Sequence, residues 1–298
     1  MAGSVSRSAF RRIAAYPLAV LIGVALLAVA HGTAGATCQV IARAPAPQIA
    51  RLQPVALTGA PKLPGFGLLR IADPAAGPSR HVDLTFLGHS SFLVASAQGV
   101  TTITDYNGYI RTGEPPTVVT MNHAHSTHFT DTVEPGVAHI LRGWNTGEGI
   151  PRHDVEIADL RVRNVPTNIR DGFAGTEFAG NSIFIFETAG LCVAHLGHLH
   201  HQLEPGHILQ IGLVDVLLAA IDDGWTMAQT GMVEVIETLR PSVVIPMHFS
   251  GPWLLEGFVG LMAERGWTMR AHDTPTVRLS RETLPRKTVL VLPPSGFF

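Results

Sequence analysis

Three closely spaced histidines follow a short β-branched run near the middle of the chain. His123, His125 and His128 come directly after Thr117–Met121. In an extended segment, residues two apart share a face, and a helical turn returns a residue three further on to the same side. Histidine is the commonest metal ligand in proteins, so converging imidazoles at a strand end indicate a metal site. Because the chain has 15 histidines, a polar loop with histidines clustered by chance is the alternative interpretation.

Two further strand-like runs also end in histidines. His195 and His198 follow an apolar run, and Gly197 between them permits a tight turn with close approach of the backbone. His248 ends the run Ser242–Met247. A lone histidine in such a place is more often a satisfied core residue. Three strand ends that all carry histidine predict one shared site at a sheet edge, where α/β scaffolds place functional side chains.

The segments that must position these histidines are short strands, followed by alternating strands and helices. Short alternating or continuous apolar runs between turn residues predict the strands, and helical spacing predicts two helices, which end at Pro241 and Gly266. This order suits two sheets packed face to face with helices outside. The predicted strands cover 82–87, 92–95, 100–105, 117–121, 160–165, 182–187, 191–195, 214–220, 242–248, 277–279 and 288–292, and the helices cover 227–239 and 253–265.

The N-terminus has the pattern of a targeting segment. Three arginines, an apolar run over residues 13–30 and the small-residue motif Ala34-Gly35-Ala36 follow one another within residues 1–36. The apolar run is also long enough to stay as an uncleaved membrane anchor. We predict a signal peptide and an exported protein, periplasmic or extracellular. Membrane association through this segment is the alternative.

The rest of the chain is predicted to be a Pro/Ala-rich arm over 37–80 and one domain over 81–298. Apolar residues make up 46% and charged residues only 15% of the sequence, which allows a large core. The net charge of −2, without a basic run after the N-terminus, argues against nucleic acid as a partner. We expect a small-molecule substrate. The oligomeric state is left open.

The two cysteines, Cys38 and Cys192, are far apart in sequence. An exported chain can form disulfides. Cys192 lies in an apolar run and is most simply interpreted as a buried small hydrophobe. Whether the two cysteines pair stays open at this point.

These motifs together resemble the metallo-β-lactamase superfamily and, within it, the ascorbate-6-phosphate-lactonase-like branch. The stretches that carry the resemblance are Leu84–Leu93, Thr120–His128, Val193–His198 and Pro241–His248, in that order. They extend over more than half of the chain. The resemblance implies an α/β fold, a four-layer αββα sandwich, with one or two metal ions at the rim between the sheets and hydrolytic chemistry.

The resemblance also implies a set of metal ligands. The expected catalytic residues are five of these: His123, His125, His128, His195 and His248. Three histidines correspond to a first metal site and two to a second, and His198 is available as a further ligand of the second. The first site would use His123, His125 and His195, and the second would use His128, His198 and His248.

Two carboxylates that the family places at this site are replaced. Thr127 stands where the resemblance implies an aspartate, and His198 stands where it implies a bridging aspartate. A histidine-only set favours zinc, as one or two ions, over manganese or magnesium, which prefer oxygen ligands. The replacements need not abolish metal binding, but they remove the obvious general base.

Several polar residues near these motifs are candidates for supporting roles. Asp105 is expected to orient a ligand histidine or to cap a turn. Asp222 is either a supporting carboxylate or part of an ordinary turn, and Asp131 is expected at the surface. His89 is expected to be structural or to line the pocket. Other candidates to line the cleft are Asn122, His200, His201 and Trp225.

The expected activity is hydrolysis of an ester, lactone or phosphodiester bond by an exported metal-dependent hydrolase. The rival hypothesis is a protein on the same fold that binds a metal or ligand without turnover. The loss of both carboxylates supports the rival.

Overall fold

A computed structural model describes residues 38–39, 80–110, 112–171 and 175–296. The predicted targeting segment over 1–36, and nearly all of the arm predicted over 37–80, lie outside the described residues. In the described part of the chain, no helix is both long enough and apolar enough to cross a membrane.

Short strands dominate the described ranges, with three helices among the later ones. The elements are β1 Val82–Gly88, β2 Ser91–Ser96, β3 Thr101–Ile103, β4 Val118–Met121, β5 His139–Arg142, β6 Asp154–Ile157, β7 Leu160–Arg170, β8 Thr176–Thr188, β9 Leu191–His195, α1 Pro205–Ile211, β10 Val216–Ala220, α2 Gln229–Leu239, β11 Val243–Met247, α3 Pro252–Ala263, β12 Thr268–Ala271, β13 Thr276–Leu279 and β14 Thr288–Val291.

The strands form two sheets that pack face to face. One has six strands in the order β13-β1-β2-β3-β4-β5, and the other has eight in the order β12-β14-β11-β10-β9-β8-β7-β6. Alternate residues of both sheets meet between them, for example Leu84 and Val94 from the first and Phe184 and Leu218 from the second. Because each sheet buries an apolar face against the other, the predicted pair of stacked sheets is confirmed.

The outer face of the eight-stranded sheet is covered by the three helices. Met232 and Ile236 of α2 and Phe258 and Met262 of α3 pack there with sheet residues such as Leu217. On the outer face of the six-stranded sheet, the described residues form a smaller apolar cluster in which irregular segments take part. In the described residues, therefore, the regular outer helical layer lies on the larger sheet.

Sheet direction explains why the predicted motifs converge. β9, β10 and β11 are parallel neighbours, and β4 lies parallel to β3 and β5. Ligand sites in α/β sheets form beyond the carboxyl ends of parallel strands. The segments after β4, β9, β10 and β11 therefore meet at one edge of the sandwich, and the β1–β2 turn joins them through the His248 N–H, which donates to the His89 carbonyl at 2.7 Å.

The sequence-based elements match most of these strands and both longer helices. The short helix α1 and the edge strands β5, β6 and β12 are additions to the predicted elements. Strand β12 is exposed along its whole length and lacks the apolar alternation by which strands are recognised.

Cys38 and Cys192 form a disulfide that attaches residue 38 to the outer surface of the larger sheet. The Cys38 N–H also donates to Glu187 Oε2 at 3.1 Å, and the Cys38 carbonyl accepts from the Leu213 N–H at 2.7 Å. The interpretation of Cys192 as a buried small hydrophobe is therefore incomplete. The residue is buried, but its sulfur is bonded to a cysteine 154 positions away.

Removal of this disulfide is expected to destabilise the fold. The Cys38→Ser/Cys192→Ser double variant should lose about 2–4 kcal/mol of unfolding free energy, because a long loop is freed in the unfolded chain. Denaturant unfolding of the variant and of the oxidised wild type measures the difference. The wild type with reductant is the matched control and should behave like the variant. Equal stability of the wild type with and without reductant would contradict the prediction.

Candidate metal centre

The residues of the site lie on strand ends and tight turns whose backbone is held in uncommon conformations. His89, Asp105 and His248 have positive φ angles of 51°, 44° and 57°. Such angles are uncommon for residues other than glycine and cluster at functional sites. Here they turn side chains sharply out of β1, β3 and β11 toward a common point.

His128 and His248 form the centre of the cluster. Their Nε2 atoms are 3.2 Å apart. The His128 Nδ1 lies 2.6 Å from Asp105 Oδ2, and the His248 Nδ1 lies 2.8 Å from Asp222 Oδ2. An ionised carboxylate only accepts hydrogen bonds, so each Nδ1 carries the proton and each Nε2 keeps its lone pair. Two lone pairs that face each other at this distance need a shared proton or a cation between them.

His125 approaches the same point from the segment after β4. Its ring centroid is 4.5 Å from that of His128 and 5.8 Å from that of His248. The Thr127 hydroxyl lies 2.8 Å from His125 Nδ1 and 2.9 Å from His89 Nε2. Thr127, where the family resemblance implies a carboxylate, thus joins two histidine rings by hydrogen bonds.

His198 completes the cluster from the segment after β9. Its Nε2 lies 3.1 Å from His125 Nε2, and its Nδ1 lies 2.5 Å from His200 Nε2. The His198 ring is buried, and its backbone N–H donates to Asn181 Oδ1 at 2.8 Å. Of the six predicted ligands, the structure therefore brings together His125, His128, His198 and His248.

The ring of His123 lies outside this cluster, contrary to the predicted ligand grouping. Its Nδ1 is 2.7 Å from Glu177 Oε1. The ring stacks on Trp144 at 5.3 Å and contacts Phe129. Residue spacing correctly places the His123 backbone beside the site, but a carboxylate on β8 and an aromatic pair hold the side chain elsewhere.

His195 is also placed differently from the prediction, although it ends β9 beside the cluster. Its Nε2 lies 2.8 Å from the Ser90 carbonyl oxygen, which can only accept. Its Nδ1 accepts from the Gly197 N–H at 3.1 Å. Both ring nitrogens are therefore satisfied by backbone groups in a fully buried position. This histidine connects the two sheets, and neither ring nitrogen is left for a metal.

Burial keeps the rings of His89, His125 and His198 neutral near pH 7. It lowers the pKa of His125 to about 4 and that of His89 to about 3, with neighbouring histidines adding to the effect. The pKa of His198 is also lowered, mainly by burial. Neutral imidazoles have a free lone pair, so these rings can bind a cation without first losing a proton.

The two supporting carboxylates stay ionised. Burial by itself raises the pKa of Asp105, but the nearby His128 and His195, and hydrogen bonds from His128 and Asn122, bring the net pKa below its ordinary value. For Asp222, the bonds from His248 and Thr226 likewise outweigh burial and lower the pKa. Asp105 therefore orients a histidine, as predicted, and Asp222 has the supporting role that was one of its two alternatives.

This donor set fits a metal ion. One ligand nitrogen each from His89, His125, His128 and His248 can be chosen so that all lie within 4.8 Å of one another. Zinc–nitrogen bonds of 2.0–2.1 Å place two ligands of a tetrahedral ion about 3.3 Å apart, close to the 3.2 Å between His128 and His248. The carboxylates on the far ring nitrogens are the partners that metal-binding histidines commonly have.

A cleft of about 840 Å³ opens onto the cluster. Imidazole rings form one part of its wall, and Ile169, Trp225 and Phe249 form an apolar part. Trp225 and His200 therefore line the cleft, as predicted. Asn122 does not: it is buried and donates to Asp105 Oδ1 at 3.0 Å. A cleft of this size suits a small molecule.

Gly197 allows the segment after β9 to pass close to two buried amides. Its φ is +59°, and a Cβ atom there would overlap with Asn181 Oδ1 and Asn122 Nδ2. Asn122 supports Asp105, and Asn181 holds the His198 backbone. The predicted close approach at this glycine is confirmed.

We expect Gly197→Ala to lower the unfolding free energy by about 2–4 kcal/mol, since it combines an unfavourable φ with overpacking. Zinc affinity should fall with it. Gly190→Ala is the matched control, because Gly190 also has a positive φ (+71°) but open space around its Cβ position. Thermal unfolding and zinc titration of both variants measure the difference. Equal losses in the two variants would contradict the overlap argument.

Two features of the site carried little signal in the sequence. His89 joins the cluster from the Gly88-His89-Ser90 turn after β1. The sequence pointed to this residue only by placing a histidine in a turn that follows a strand. Arg170 and Asn181 reach the site from β7 and β8 through contacts that no motif indicates.

Comparisons with known proteins agree with this architecture. Residues 83–248 match the family described as "Beta-lactamase superfamily domain". A UPF0173 metal-dependent hydrolase of Desulforamulus reducens is 26% identical over 196 residues, covering 56% of this chain and 84% of the relative. A UPF0173 metal-dependent hydrolase of Archaeoglobus fulgidus is 26% identical over 191 residues, covering 56% and 83%.

Solved structures give the same result for the fold. A Thermotoga maritima protein described as a member of the metallo-β-lactamase superfamily has a TM-score of 0.54 at 24% identity, covering 71% of this chain and 100% of that protein. The chain belongs to the β-lactamase superfamily. The predicted superfamily and fold class are therefore confirmed, and the narrower lactonase-like branch stays a prediction.

Proposed function

We propose that this chain is an exported metal-dependent hydrolase that holds one zinc ion through His125, His128 and His248. The observation that carries the proposal is the pair of Nε2 atoms of His128 and His248, which face each other at 3.2 Å. Three imidazoles form the type of zinc site that keeps a fourth position open for water or substrate. A single ion is favoured because His123 and His195 have other partners.

The supporting residues keep this ligand set in place. Asp105 and Asp222 accept the Nδ1–H groups of His128 and His248 and so direct both Nε2 lone pairs into the cleft. Thr127 does the same for His125 as a hydroxyl acceptor. When bound, a zinc ion supplies Lewis-acid activation of water and of the bond to be cleaved.

The cleft supports a small substrate with both a polar and an apolar part. The polar, hydrolysable group would lie against the imidazoles, and the apolar part would pack on Ile169, Trp225 and Phe249. We propose an ester, a lactone or a phosphodiester as the bond cleaved. The relatives' description as metal-dependent hydrolases supports hydrolysis as the reaction class.

A substrate panel tests the activity. Purified protein loaded with zinc, or with manganese for comparison, is incubated with p-nitrophenyl esters, simple lactones and bis-p-nitrophenyl phosphate. We expect turnover of at least one class with zinc, and its loss in His125→Ala with an unchanged circular dichroism spectrum. Stoichiometric zinc without turnover of any substrate would contradict the enzyme proposal.

A metal-binding protein without turnover is the second candidate. It is favoured by Thr127 and His198, which stand where the family resemblance implies carboxylates. In the same panel this candidate predicts bound zinc, with His125→Ala losing metal and no catalysis to lose.

Export is supported by the disulfide between Cys38 and Cys192, since such bonds persist in oxidising compartments. Expression of the full chain in a bacterial host, followed by fractionation and thiol labelling, tests this. We expect the protein in the periplasmic or membrane fraction with both cysteines blocked to labelling. A cytoplasmic protein with two free thiols would contradict it.

A further inference from the structure

We propose that His198 is a hydrogen-bond donor to the substrate at the metal centre and not a metal ligand. Its Nε2–H faces the centre, and the proton position is set by His200 and the backbone N–H of Arg170. This inference deepens the proposed function and rests on it for the reaction class. It differs from the prediction that His198 is a ligand of a second ion.

One hydrogen bond at His200 has a donor that is fixed by chemistry. The backbone N–H of Arg170 donates to His200 Nδ1 at 2.7 Å. A backbone amide has no lone pair to offer, so His200 Nδ1 must be the unprotonated nitrogen of its ring. Neutral imidazole has one donor and one acceptor nitrogen, and the proton of His200 therefore lies on Nε2.

The proton on His200 Nε2 also decides which nitrogen of His198 accepts a hydrogen bond. His200 Nε2 and His198 Nδ1 are 2.5 Å apart. Because His200 Nε2 is the donor, His198 Nδ1 must accept, and the proton of the neutral His198 ring lies on Nε2. A protonated ring nitrogen has no lone pair for a metal ion. His128 and His248 have the opposite tautomer, because carboxylates accept from their Nδ1–H groups.

The remaining hydrogen bonds of the network are consistent with a proton on His198 Nε2. His198 Nε2 lies 3.1 Å from His125 Nε2, which then accepts and carries its own proton on Nδ1. His125 Nδ1–H can donate to the Thr127 hydroxyl, and this hydroxyl can donate to His89 Nε2. In this series of hydrogen bonds, which begins at Arg170 and ends at His89, each donor therefore faces an acceptor.

Metal binding would leave the His198 N–H facing the reaction site. An ion on His125 Nε2 takes the lone pair to which His198 now donates. The buried ring is held by the Asn181 contact to its backbone and by His200, so its N–H needs another acceptor close by. An oxygen of the substrate in the fourth position of the site would supply it.

Such a donor has a clear use in hydrolysis. Cleavage of an ester, a lactone or a phosphodiester places negative charge on an oxygen, and an oriented N–H group stabilises that charge. The change from aspartate, which the family resemblance implies at this position, to His198 therefore replaces an anionic ligand by a neutral donor. His200 is a positioning residue that acts through His198.

Nitrogen NMR of the metal-free protein tests the proton positions directly. Two-bond correlations in protein labelled with ¹⁵N-histidine should show the proton on Nε2 in His198 and on Nδ1 in His128 and His248. In His200→Ala, the Nε2–H signature of His198 should weaken or be lost. A wild-type His198 ring with its proton on Nδ1 would overturn the proposal.

Zinc content and kinetics provide the second test. His198→Ala and His198→Gln should each retain one zinc per chain, with affinity within about threefold of the wild type. His198→Ala should lower kcat by about 100-fold, the usual loss for one such donor. His198→Gln, whose amide N–H can replace Nε2–H, should recover part of kcat.

The outcomes separate this inference from the proposed function. If His198→Ala loses zinc while the wild type hydrolyses its substrate, His198 is a ligand, and only the inference is wrong. If the wild type binds zinc but cleaves nothing in the panel, the proposed function and the catalytic use of His198 both fail. The NMR and zinc data then still decide whether His198 is a ligand.

Discussion

His248→Asn is expected to abolish stoichiometric zinc binding. The substitution removes an Nε2 lone pair that faces the Nε2 atom of His128 at 3.2 Å. Asparagine tolerates the positive φ of position 248, and its amide can still donate to Asp222, so the fold should be retained. Loss of a ligand should cost more than the ~10–100-fold in affinity that loss of a ligand's hydrogen-bonding partner costs.

His123→Asn is the matched control for this experiment. His123 belongs to the three-histidine motif, but its ring contacts Glu177 and Trp144. Zinc content after dialysis, measured by plasma mass spectrometry, should stay at one per chain in His123→Asn and fall close to zero in His248→Asn. The reverse result would show that the ion is held by the grouping that family resemblance implied, with His123 as a ligand.

The sequence was sufficient to predict where the site lies. The strands that lead to His125, His195 and His248 were expected to end at one edge, because parallel strands present their carboxyl ends at the same edge of a sheet. The rings of His125 and His248 lie together there, whereas the His195 ring bonds to backbone groups. These strands were recognisable as continuous apolar runs, because central strands that are covered on both faces are buried at every position. Sheet edges such as β12, which pack little, left little pattern.

The roles of individual rings were harder to predict. Spacing decides which face of a strand a side chain leaves from, but it does not decide which partner saturates its nitrogens. The His123 ring forms a hydrogen bond with Glu177, 54 positions away, and the His195 ring forms one with the carbonyl of Ser90, 105 positions away. Both partners come from other strands or turns, and their distance along the chain leaves no local signal. The Cys38–Cys192 bond is a third case of the same kind.

The aspartate replacements became interpretable only with the structure. At the level of sequence, Thr127 and His198 were losses of two carboxylates. In the fold, Thr127 orients His125, and carboxylates are present on the opposite ring nitrogens, where Asp105 and Asp222 hold His128 and His248. The site therefore contains acidic groups as hydrogen-bond partners of its histidine rings.

Asp105→Asn is the second variant with a large expected effect. Asp105 is fully buried, and its two oxygens accept from His128 Nδ1 and Asn122 Nδ2. An amide at this position offers one oxygen and one NH₂ group, so it cannot accept from both donors. Either Asn122 loses its acceptor or the His128 proton moves to Nε2, which removes a lone pair from the metal centre.

We therefore expect Asp105→Asn to lower zinc affinity by roughly 10–100-fold and the unfolding free energy by about 1.5–3 kcal/mol, as for other hydrogen bonds to charged groups. Competition with a chromophoric chelator and denaturant unfolding measure the two effects. Asp131→Asn makes the same chemical change at an exposed position three residues after His128 and should alter neither quantity. Wild-type zinc affinity in Asp105→Asn would show that His128 keeps its tautomer without the carboxylate, and the orienting role argued for Asp105 would then be wrong.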